Sequence, residues 1–406
     1  MSKQKVILLS NTDWYLFNFR LSLAYSLRER GFDVILLSPD GSYGPKLREL
    51  GFCWEVMPME RRSLNPWREI RLVLWLARFF RRERPLLVHG FTIKGAVYGS
   101  IAARLAGVPI RINAIDGMGY VFTSQQLRAR MLRPVVRYVM RSAFHGERSV
   151  VILQNSDDIA LFRQSRIAAD HSLRLIKGTG VNLTRYRPQE PSASPTRAPL
   201  RVLLAARLIW EKGIGEYVEA SRMLMSEGRT VLFLLAGSPD EGNPAAIGRS
   251  QIEEWVRLGL LVWLGHVGDM PALLSAVDVV VLPSYYREGL PTTLIEGAAC
   301  ALPLITTDAP GCREVVSRNG EDGILIPARD AKALADAIRL LDDDRALGVK
   351  LGLAARKKAL KEFDESIVLR EMLAVYQELG ATSPVPIPAG ADSDFTVRIT
   401  QGGENA

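Results

Sequence analysis

Residues Val279–Cys300 read VVVLPSYYREGLPTTLIEGAAC, and this stretch indicates most directly how the chain folds. Val279–Leu282 is a short, continuous apolar run, which is typical of a strand covered on both faces of a sheet. Gly289 allows a tight turn after it, and Pro291 suits the first position of a helix. The stretch therefore predicts a buried strand, a turn and a helix over Pro291–Ala299, the repeating unit of an α/β domain.

The same alternation of buried strands and helices extends through both halves of the chain and predicts two doubly wound α/β domains with parallel sheets. Strands are predicted at Val6–Leu9, Val34–Leu37, Leu86–His89, Ile110–Asn113, Val150–Leu153, Arg201–Ala205, Val231–Ala236, Val262–Leu264, Val279–Leu282, Pro303–Thr306 and Ile324–Pro327. Helices are predicted at Leu21–Arg30, Trp67–Arg82, Ala96–Ala106, Leu127–Ser142, Gly213–Glu227, Met270–Ala276, Pro291–Ala299, Ala331–Leu341 and Ile367–Leu379.

The Pro- and Ser-rich residues 183–199 are typical of a linker and set the predicted domain boundaries. We expect one domain over 1–182, a second over 200–362, a C-terminal helix over 363–379 that can cross back to the first domain, and a disordered tail over 380–406. Ligands of parallel sheets bind outside the carboxyl ends of the strands. We therefore expect the two domains to face each other across a cleft that holds the site.

Charge is distributed unevenly along the chain, whose net charge is +8. Residues 1–180 hold 28 Lys and Arg against 14 Asp and Glu, or +14, which leaves −6 for the rest. This asymmetry indicates an anionic partner for the first half: nucleic acid, a phosphorylated ligand or an acidic membrane.

Hydrophobic residues make up 48%, which excludes a disordered protein. The three cysteines lack paired or metal-ligand spacing, and the N-terminus shows no signal peptide, so we expect a reduced compartment.

The turn and helix after Val279–Leu282 carry the first candidate site. The backbone N–H groups of Leu290, Thr292 and Thr293 would point into the cleft, where unpaired donors and the helix dipole stabilise an anion. Glu288 and Glu296 flank this turn, and carboxylates accept hydrogen bonds from sugar hydroxyls. An ordinary turn with solvated glutamates is the alternative.

Two cations follow strand Arg201–Ala205 and carry the second candidate site. Arg207 and Lys212 emerge at the same sheet edge, with Gly213 permitting the turn into a helix. Arg binds a diphosphate bidentately and Lys binds it as a point charge, so the pair can replace a magnesium ion. Alternatively, both are ordinary surface cations.

Taken together, these motifs resemble the retaining GT-B glycosyltransferases of family four: Glu288, seven residues and Glu296 match the carboxylate motif, and Arg207 with Lys212-Gly213 matches the basic one. The resemblance implies a GT-B fold, retention at the anomeric carbon and no metal. It implies catalytic roles for Arg207, Lys212 and Glu288, with Glu288 on sugar hydroxyls, Glu296 on the ribose and Gly265–Val267 at the base. The implied donor-binding set is Arg207, Lys212, Gly265, His266, Val267, Glu288, Gly289, Leu290, Pro291, Thr292 and Glu296.

Motifs of the first half resemble a bacterial subgroup that extends polyprenyl-diphosphate-linked glycans. They are Ser10-Asn11, Phe17-Asn18-Phe19-Arg20, Phe91-Thr92-Ile93-Lys94 and Gly117–Phe122. The resemblance implies a UDP-sugar donor carrying an N-acetylated hexose, a lipid-linked saccharide acceptor in capsule or O-antigen synthesis, and acceptor contacts at Asn18, Arg20, Lys94 and Asp116. Asp116 departs from the small or hydroxyl residue usual there, and either an orienting role or a plain turn aspartate remains open.

Two arginine-rich helical segments, within 61–82 and 127–141, favour contact between the first domain and an anionic membrane, although internal helices show the same periodicity. We expect a cytoplasmic enzyme on the inner face of the plasma membrane that uses no metal, binds no nucleic acid and needs no cofactor beyond its UDP-sugar. The alternatives are a glycosyltransferase with a soluble small-molecule acceptor, a GT-B nucleotide-sugar epimerase and a two-lobed binding protein.

Overall fold

The computed structural model describes residues 3–61, 63, 65–118, 122, 127–188 and 199–382. The chain forms two compact units. The first consists of residues up to Thr179 and from Ser366 onward, and the second is Gly180–Glu365. Most of the predicted linker (189–198) and of the predicted tail (383–406) lies outside the described residues.

The first unit contains a sheet of seven parallel strands in the order β3-β2-β1-β4-β5-β6-β7. The strands are β1 (Lys5–Leu9), β2 (Asp33–Ser38), β3 (Cys53–Val56), β4 (Leu87–Phe91), β5 (Ile110–Ile115), β6 (Ser149–Leu153) and β7 (Leu173–Leu175). Its helices are α1 (Asp13–Phe19), α2 (Leu21–Glu29), α3 (Gly44–Glu49), α4 (Pro66–Glu83), α5 (Thr92–Ala106), α6 (Leu127–Phe144) and α7 (Ser156–Gln164).

The second unit contains a sheet of six parallel strands in the order β10-β9-β8-β11-β12-β13. The strands are β8 (Leu200–Ala205), β9 (Val231–Ala236), β10 (Val262–Gly265), β11 (Val279–Leu282), β12 (Leu304–Thr307) and β13 (Ile324–Ile326). Its helices are α8 (Ile214–Ser226), α9 (Arg249–Arg257), α10 (Met270–Ser275), α11 (Thr292–Ala299), α12 (Cys312–Val315), α13 (Ala331–Asp343) and α14 (Arg345–Glu362).

The last helix, α15 (Glu365–Glu378), packs almost entirely within the first unit. Its apolar side chains Val368, Met372 and Tyr376 belong to the same buried cluster as residues of β1 and β2. The Tyr376 hydroxyl also lies 2.8 Å from Nδ1 of the buried His89 in β4. The first unit is therefore built from both ends of the chain.

All eleven predicted strands and all nine predicted helices are present, with boundaries that differ by a few residues. The prediction missed β3 and β7 because β3 is partly exposed and β7 has only three residues, so neither shows a continuous apolar run. It also missed six helices, which are α1, α3, α7, α9, α12 and α14. In α14, the small buried residues Gly348, Gly352 and Ala355 give a weak apolar stripe. None of the helices in the described ranges is long and apolar enough to cross a bilayer.

The strand orders place one switch point in each sheet, where the chain passes from one side of the sheet to the other. In the first unit the switch lies between β1 and β4, and in the second between β8 and β11. Open α/β sheets bind ligands outside the carboxyl ends of the strands at such points. The loops that follow these four strands are therefore where each unit can hold a ligand.

Candidate functional site

A buried ion pair occupies the switch point of the second unit. Nζ of Lys212, from the loop after β8, lies 2.5 Å from Oε1 of Glu288, which follows β11. The two side chains are only 11% and 10% exposed. Charged side chains are rarely buried to this extent unless they are paired, so each of the predicted residues Lys212 and Glu288 fixes the position of the other.

Gly213 brings the two loops close enough for this pair to form. It has φ +77°, and a β-carbon there would lie 2.1 Å from the Pro283 carbonyl oxygen. The amides of Tyr285 and Tyr286 both donate to the Glu211 carbonyl, at 3.0 and 3.1 Å. Only glycine fits this conformation and this contact, so the backbone fixes where the Lys212 side chain begins.

Three residues that the sequence did not assign to the site support Glu288. The Ser284 hydroxyl bonds to Glu288 Oε1 at 2.8 Å, and the Thr307 hydroxyl bonds to the Ser284 carbonyl. Gly311, with φ +80°, lies so close that a β-carbon would be 2.2 Å from the Gly289 carbonyl oxygen. The Pro310-Gly311 dipeptide was the available signal, since such dipeptides mark turns.

Arg207 lies at the same end of β8 but makes a different ion pair. Its Nη1 is 3.0 Å from Oδ2 of Asp240, and its side chain is 48% exposed, whereas that of Asp240 is 9% exposed. Arg207 is close enough to Tyr286 for its charge to oppose the burial that raises the pKa of that tyrosine. The guanidinium therefore sits at the mouth of the site, and Lys212 lies deeper.

The start of α11 supplies backbone donors beside the pair. The helix begins at Thr292, one residue later than predicted, with the buried Leu290 and Pro291 leading into it. The Thr293 hydroxyl donates to the Ala205 carbonyl at 2.8 Å and ties this first turn to the end of β8. The first N–H groups of a helix lack intrahelical partners and favour an anion.

The backbones that follow β9 and β10 also reach this edge of the sheet. Gly237, with φ +138°, would place a β-carbon 1.9 Å from the Ala206 carbonyl oxygen, and its amide donates to the Gly265 carbonyl at 2.7 Å. His266 is exposed and Val267 is partly buried. The predicted residues Gly265–Val267 thus form an accessible loop beside the end of β8.

Glu296 lies farther along α11 and has its own partner. The Tyr186 hydroxyl donates to Glu296 Oε1 at 2.7 Å, and the Tyr186 carbonyl accepts from Arg356 Nη1 at 2.9 Å. Burial raises the pKa of Glu296 to about 7, against the opposing effect of the tyrosine hydrogen bond. This carboxyl group can therefore exchange its proton near neutral pH. The sequence did not predict Tyr186 as its partner.

A second polar cluster lies at the carboxyl edge of the first unit's sheet. Asp116, just after β5, accepts hydrogen bonds from the Tyr15 hydroxyl and from Gln154 Nε2 at 2.5 Å, and lies 3.4 Å from Arg20 Nη2. The Arg20 guanidinium is buried and covers the Phe91 ring at 4.4 Å from its centroid. Burial raises the pKa of Asp116, and the Arg20 charge opposes this. The structure thus joins the predicted residues Arg20 and Asp116.

The other two predicted acceptor residues lie apart from this cluster. The Lys94 ammonium has three oxygen neighbours: Glu69 Oε1 at 2.9 Å and the carbonyls of Ser63 and Glu60 at 2.6 and 3.0 Å. These contacts fasten the start of α4 to α5. Asn18 is exposed on α1, and its amide donates to the Trp14 carbonyl.

In the described part of the chain, no group of three or more His, Cys, Asp or Glu side chains is arranged to hold a metal ion.

Two family models match the chain, one on each half. "Glycosyl transferase 4-like" matches residues 5–145, and "Glycosyl transferases group 1" matches residues 199–344. The second match contains the Lys212–Glu288 pair, Arg207 and the start of α11.

Three bacterial relatives that align over most of their length are named as glycosyltransferases. The N,N'-diacetylbacillosaminyl-diphospho-undecaprenol alpha-1,3-N-acetylgalactosaminyltransferase of Campylobacter jejuni is 28% identical and aligns over 91% of this chain and 98% of its own length. The capsular polysaccharide biosynthesis glycosyltransferase CapM of Staphylococcus aureus is 25% identical over 86% of this chain and 91% of its own. An Escherichia coli UDP-Gal:alpha-D-GlcNAc-diphosphoundecaprenol alpha-1,3-galactosyltransferase is 24% identical over 76% and 82%.

Solved structures show the same fold. HepE of Anabaena, crystallised with UDP, matches with a TM-score of 0.73 at 20% identity over 92% of this chain and 100% of its own. Sucrose-phosphate synthase of Thermosynechococcus elongatus matches with a TM-score of 0.74 at 20% identity over 94% and 100%. The predicted GT-B class, two Rossmann-like domains with parallel sheets, is thereby confirmed.

Proposed function

Because the chain belongs to the glycosyltransferases whose models match both of its halves, we propose that it transfers a sugar from a UDP-sugar to a saccharide carried on polyprenyl diphosphate. The names of the C. jejuni and E. coli relatives support this acceptor class, and the HepE complex supports UDP as the nucleotide. The capsule relative supports a role in bacterial surface glycan synthesis.

The donor diphosphate binds at the switch point of the second unit. Lys212 and Arg207 neutralise its charge, and the first amides of α11, beginning with Thr292, donate to its oxygens. Glu288, fixed by Lys212, accepts hydrogen bonds from sugar hydroxyls. Glu296 accepts from the ribose, and the exposed loop Gly265–Val267 meets the base.

The reaction proceeds with retention at the anomeric carbon. The bond from that carbon to the diphosphate oxygen breaks as the acceptor hydroxyl oxygen forms the new bond on the same face. The proton of that hydroxyl passes to the departing diphosphate, so the step needs no base from the protein. Cations held in a partly desolvated site stabilise the developing charge without reorganising, which makes electrostatic stabilisation of the leaving group the main catalytic effect.

The Lys212–Glu288 pair is the observation that carries this proposal. The protein holds an ammonium and a carboxylate 2.5 Å apart, both nearly buried, beside the uncapped start of a helix. Burying an ion pair gains little stability compared with apolar packing, so such a pair indicates a functional requirement. An ammonium for a phosphate and a carboxylate for a sugar hydroxyl are what a nucleotide-sugar needs.

The acceptor binds at the carboxyl edge of the first unit's sheet. Arg20 and Asp116 form the polar floor of this edge, and Asn18 on the exposed face of α1 contacts the glycan. Lys94 acts through its contacts with Glu69 and the carbonyls before α4, which hold that helix in place.

Helices α4 and α6 provide the membrane contact of the first unit. Each exposes large apolar side chains: Trp67 and Leu74 on α4, and Met131 and Tyr138 on α6. Exposed arginines accompany them: Arg71, Arg78 and Arg81 on α4, and Arg130, Arg137 and Arg141 on α6. Each cation near an anionic bilayer contributes about 1 kcal/mol, so this face holds the enzyme at the membrane that carries its acceptor. That membrane is the inner face of the plasma membrane.

A panel of UDP-sugars incubated with a polyprenyl-diphosphate-linked N-acetylsugar tests the proposal, with the lipid product weighed by mass spectrometry. We expect one UDP-N-acetylhexose to add a single residue in the presence of EDTA, and the anomeric coupling constant of the product to match the donor. Conversion of the donor in the absence of acceptor would indicate an epimerase, and transfer to soluble sugars or thiols alone would indicate a soluble acceptor. Either result overturns the assignment.

A further inference from the structure

The switch point of the first unit holds polar groups that the proposed function has not yet used. Ser10 follows β1 and Thr92 follows β4, the two strands between which the strand order reverses. Within the described residues, neither side-chain hydroxyl has a hydrogen-bond partner, although both oxygens are buried. Ser10 is 0% exposed. A buried, unpaired hydroxyl is costly, and each one in a native fold requires an explanation.

Thr92 also has an unfavourable backbone conformation. Its φ is +62°, in the left-handed region that a β-branched residue avoids. Such conformations cost free energy and are concentrated at ligand sites, where the surrounding structure enforces them. The strain at Thr92 therefore coincides with its unpaired hydroxyl at the same point in the sheet.

Helix α5 begins at this residue without a side-chain cap. Its N-cap is Phe91, whose ring cannot accept a hydrogen bond from the first amides. The helix runs for 15 residues, so its N-terminal dipole is fully developed. These amides and this dipole favour a negatively charged ligand.

The chain packs these elements tightly together. A β-carbon at Gly90 would lie 2.5 Å from the Gly95 carbonyl oxygen, and one at Gly95 would lie 3.2 Å from the Leu9 carbonyl oxygen and 3.7 Å from Ser10 Cα. Two glycines thus let the first turn of α5 lie directly against the end of β1. Ser10, Thr92 and the free amides of α5 consequently belong to one small region.

We propose that this region, the Ser10–Thr92 site, binds the diphosphate of the lipid-linked acceptor. The two hydroxyls donate to phosphoryl oxygens together with the first amides of α5. Arg20 is close, since its guanidinium covers Phe91, but its charge is offset by Asp116. The Lys94 ammonium is already occupied by three oxygens. Hydroxyls and amides, not the nearby side-chain cations, therefore recognise the anion. The proposal rests on the proposed function for the identity of the ligand.

Thermal unfolding of the full chain in saturating UDP tests the site, because UDP occupies the donor site in the second unit. The probes are inorganic diphosphate, farnesyl diphosphate below its micelle concentration, and farnesol, which lacks phosphate. We expect both diphosphates to raise the Tm and farnesol to leave it unchanged. A stronger effect of farnesyl diphosphate identifies the lipid-linked source, and an effect of inorganic diphosphate alone would overturn the assignment to the acceptor.

Ser10→Ala and Thr92→Gly are the decisive variants. Each removes an unpaired hydroxyl, and glycine also relieves the strain at φ +62°, so the ligand-free Tm should stay the same or rise. We expect each to weaken farnesyl diphosphate binding about tenfold or more, the loss of one hydrogen bond to a charged group. Ser100→Ala is the control: this buried hydroxyl on the same helix donates to the Ala143 carbonyl at 2.9 Å, away from the helix start.

The outcomes separate this site from the proposed donor site. Unchanged diphosphate binding by both variants, or no binding by the parent protein, overturns the Ser10–Thr92 site. If UDP alone fails to raise the Tm while diphosphate binding is lost in the variants, the donor assignment fails and this anion site stands. A higher KM for the lipid acceptor at unchanged kcat in Ser10→Ala would further support its role in acceptor binding.

Discussion

Replacing Lys212 by methionine removes the buried ammonium but keeps a side chain of similar length. Glu288 would keep the Ser284 hydroxyl, 2.8 Å away, but would lose the buried ammonium that neutralises its charge. Removing one member of a buried ion pair costs about 3–5 kcal/mol of stability. Removing one donor to a transition-state oxyanion costs about 10²–10³ in kcat. We therefore expect both a large drop in the free energy of unfolding and a drop in kcat of at least about 10².

Lys358 provides a matched control in the same unit. Its ammonium lies 3.6 Å from a carboxylate oxygen of Asp322, and the two side chains are 12% and 1% exposed, much like the Lys212–Glu288 pair. Lys358→Met should therefore lose stability without a comparable loss of kcat, measured below the unfolding transition of each variant. Lys212→Arg keeps the charge and separates misfolding from loss of catalysis. The role of Lys212 would be refuted if Lys212→Met folds and keeps a kcat near that of the parent protein. It would also be refuted if Lys358→Met loses as much kcat as Lys212→Met.

Three further perturbations test other parts of the account. Gly213→Ala should lower the free energy of unfolding by at least about 2 kcal/mol in urea titrations, because the new β-carbon would lie 2.1 Å from a carbonyl oxygen. Gly228 has a similar φ of +75° but open space around it, so Gly228→Ala should lower the free energy of unfolding by only about 1 kcal/mol. Equal losses in the two variants would contradict the role of the close contact at Gly213. The pKa of Glu296 is raised from 4.5 to about 7, so the folded state binds the extra proton and stability should fall as pH rises from about 4.5 to 7. Glu296→Gln should flatten that part of the profile, and an unchanged slope would contradict the assignment. Trp67→Ser should reduce sedimentation with anionic vesicles severalfold, because it removes an exposed apolar side chain from α4. Met225 is an exposed apolar residue of the second unit, and Met225→Ser should leave sedimentation unchanged. Equal sedimentation of the two variants would show that α4 does not contact the membrane.

The sequence predicted the elements whose signal is local. Continuous apolar runs identified β8 and β11, and the parallel arrangement then placed Lys212 and Glu288 at the same edge, where they form a 2.5 Å pair. Gly213 was recognisable because it follows a strand and precedes a helix. These features depend on a few neighbouring residues and on the general geometry of parallel sheets.

The contacts that the sequence did not reveal join residues far apart in the chain. Arg207 pairs with Asp240 across 33 positions, and Tyr186 reaches Glu296 across 110. No periodicity encodes such pairs, because they depend on how the ends of separate strands are brought together. The left-handed conformation of Thr92 was equally hidden, since the preferences of threonine argue against it.

The central claim is that Arg207 and Lys212 share the negative charge of the departing diphosphate without a metal ion. Calorimetric titration of UDP and of uridine in EDTA, with the parent protein and with the Arg207→Ala/Lys212→Met variant, tests it most directly. We expect the affinity of the variant for UDP to fall by at least about 100-fold, because two hydrogen bonds to charged groups are lost. The affinity for uridine should be unchanged. UDP binding that survives the double substitution, or that requires a divalent cation in the parent, would contradict the account.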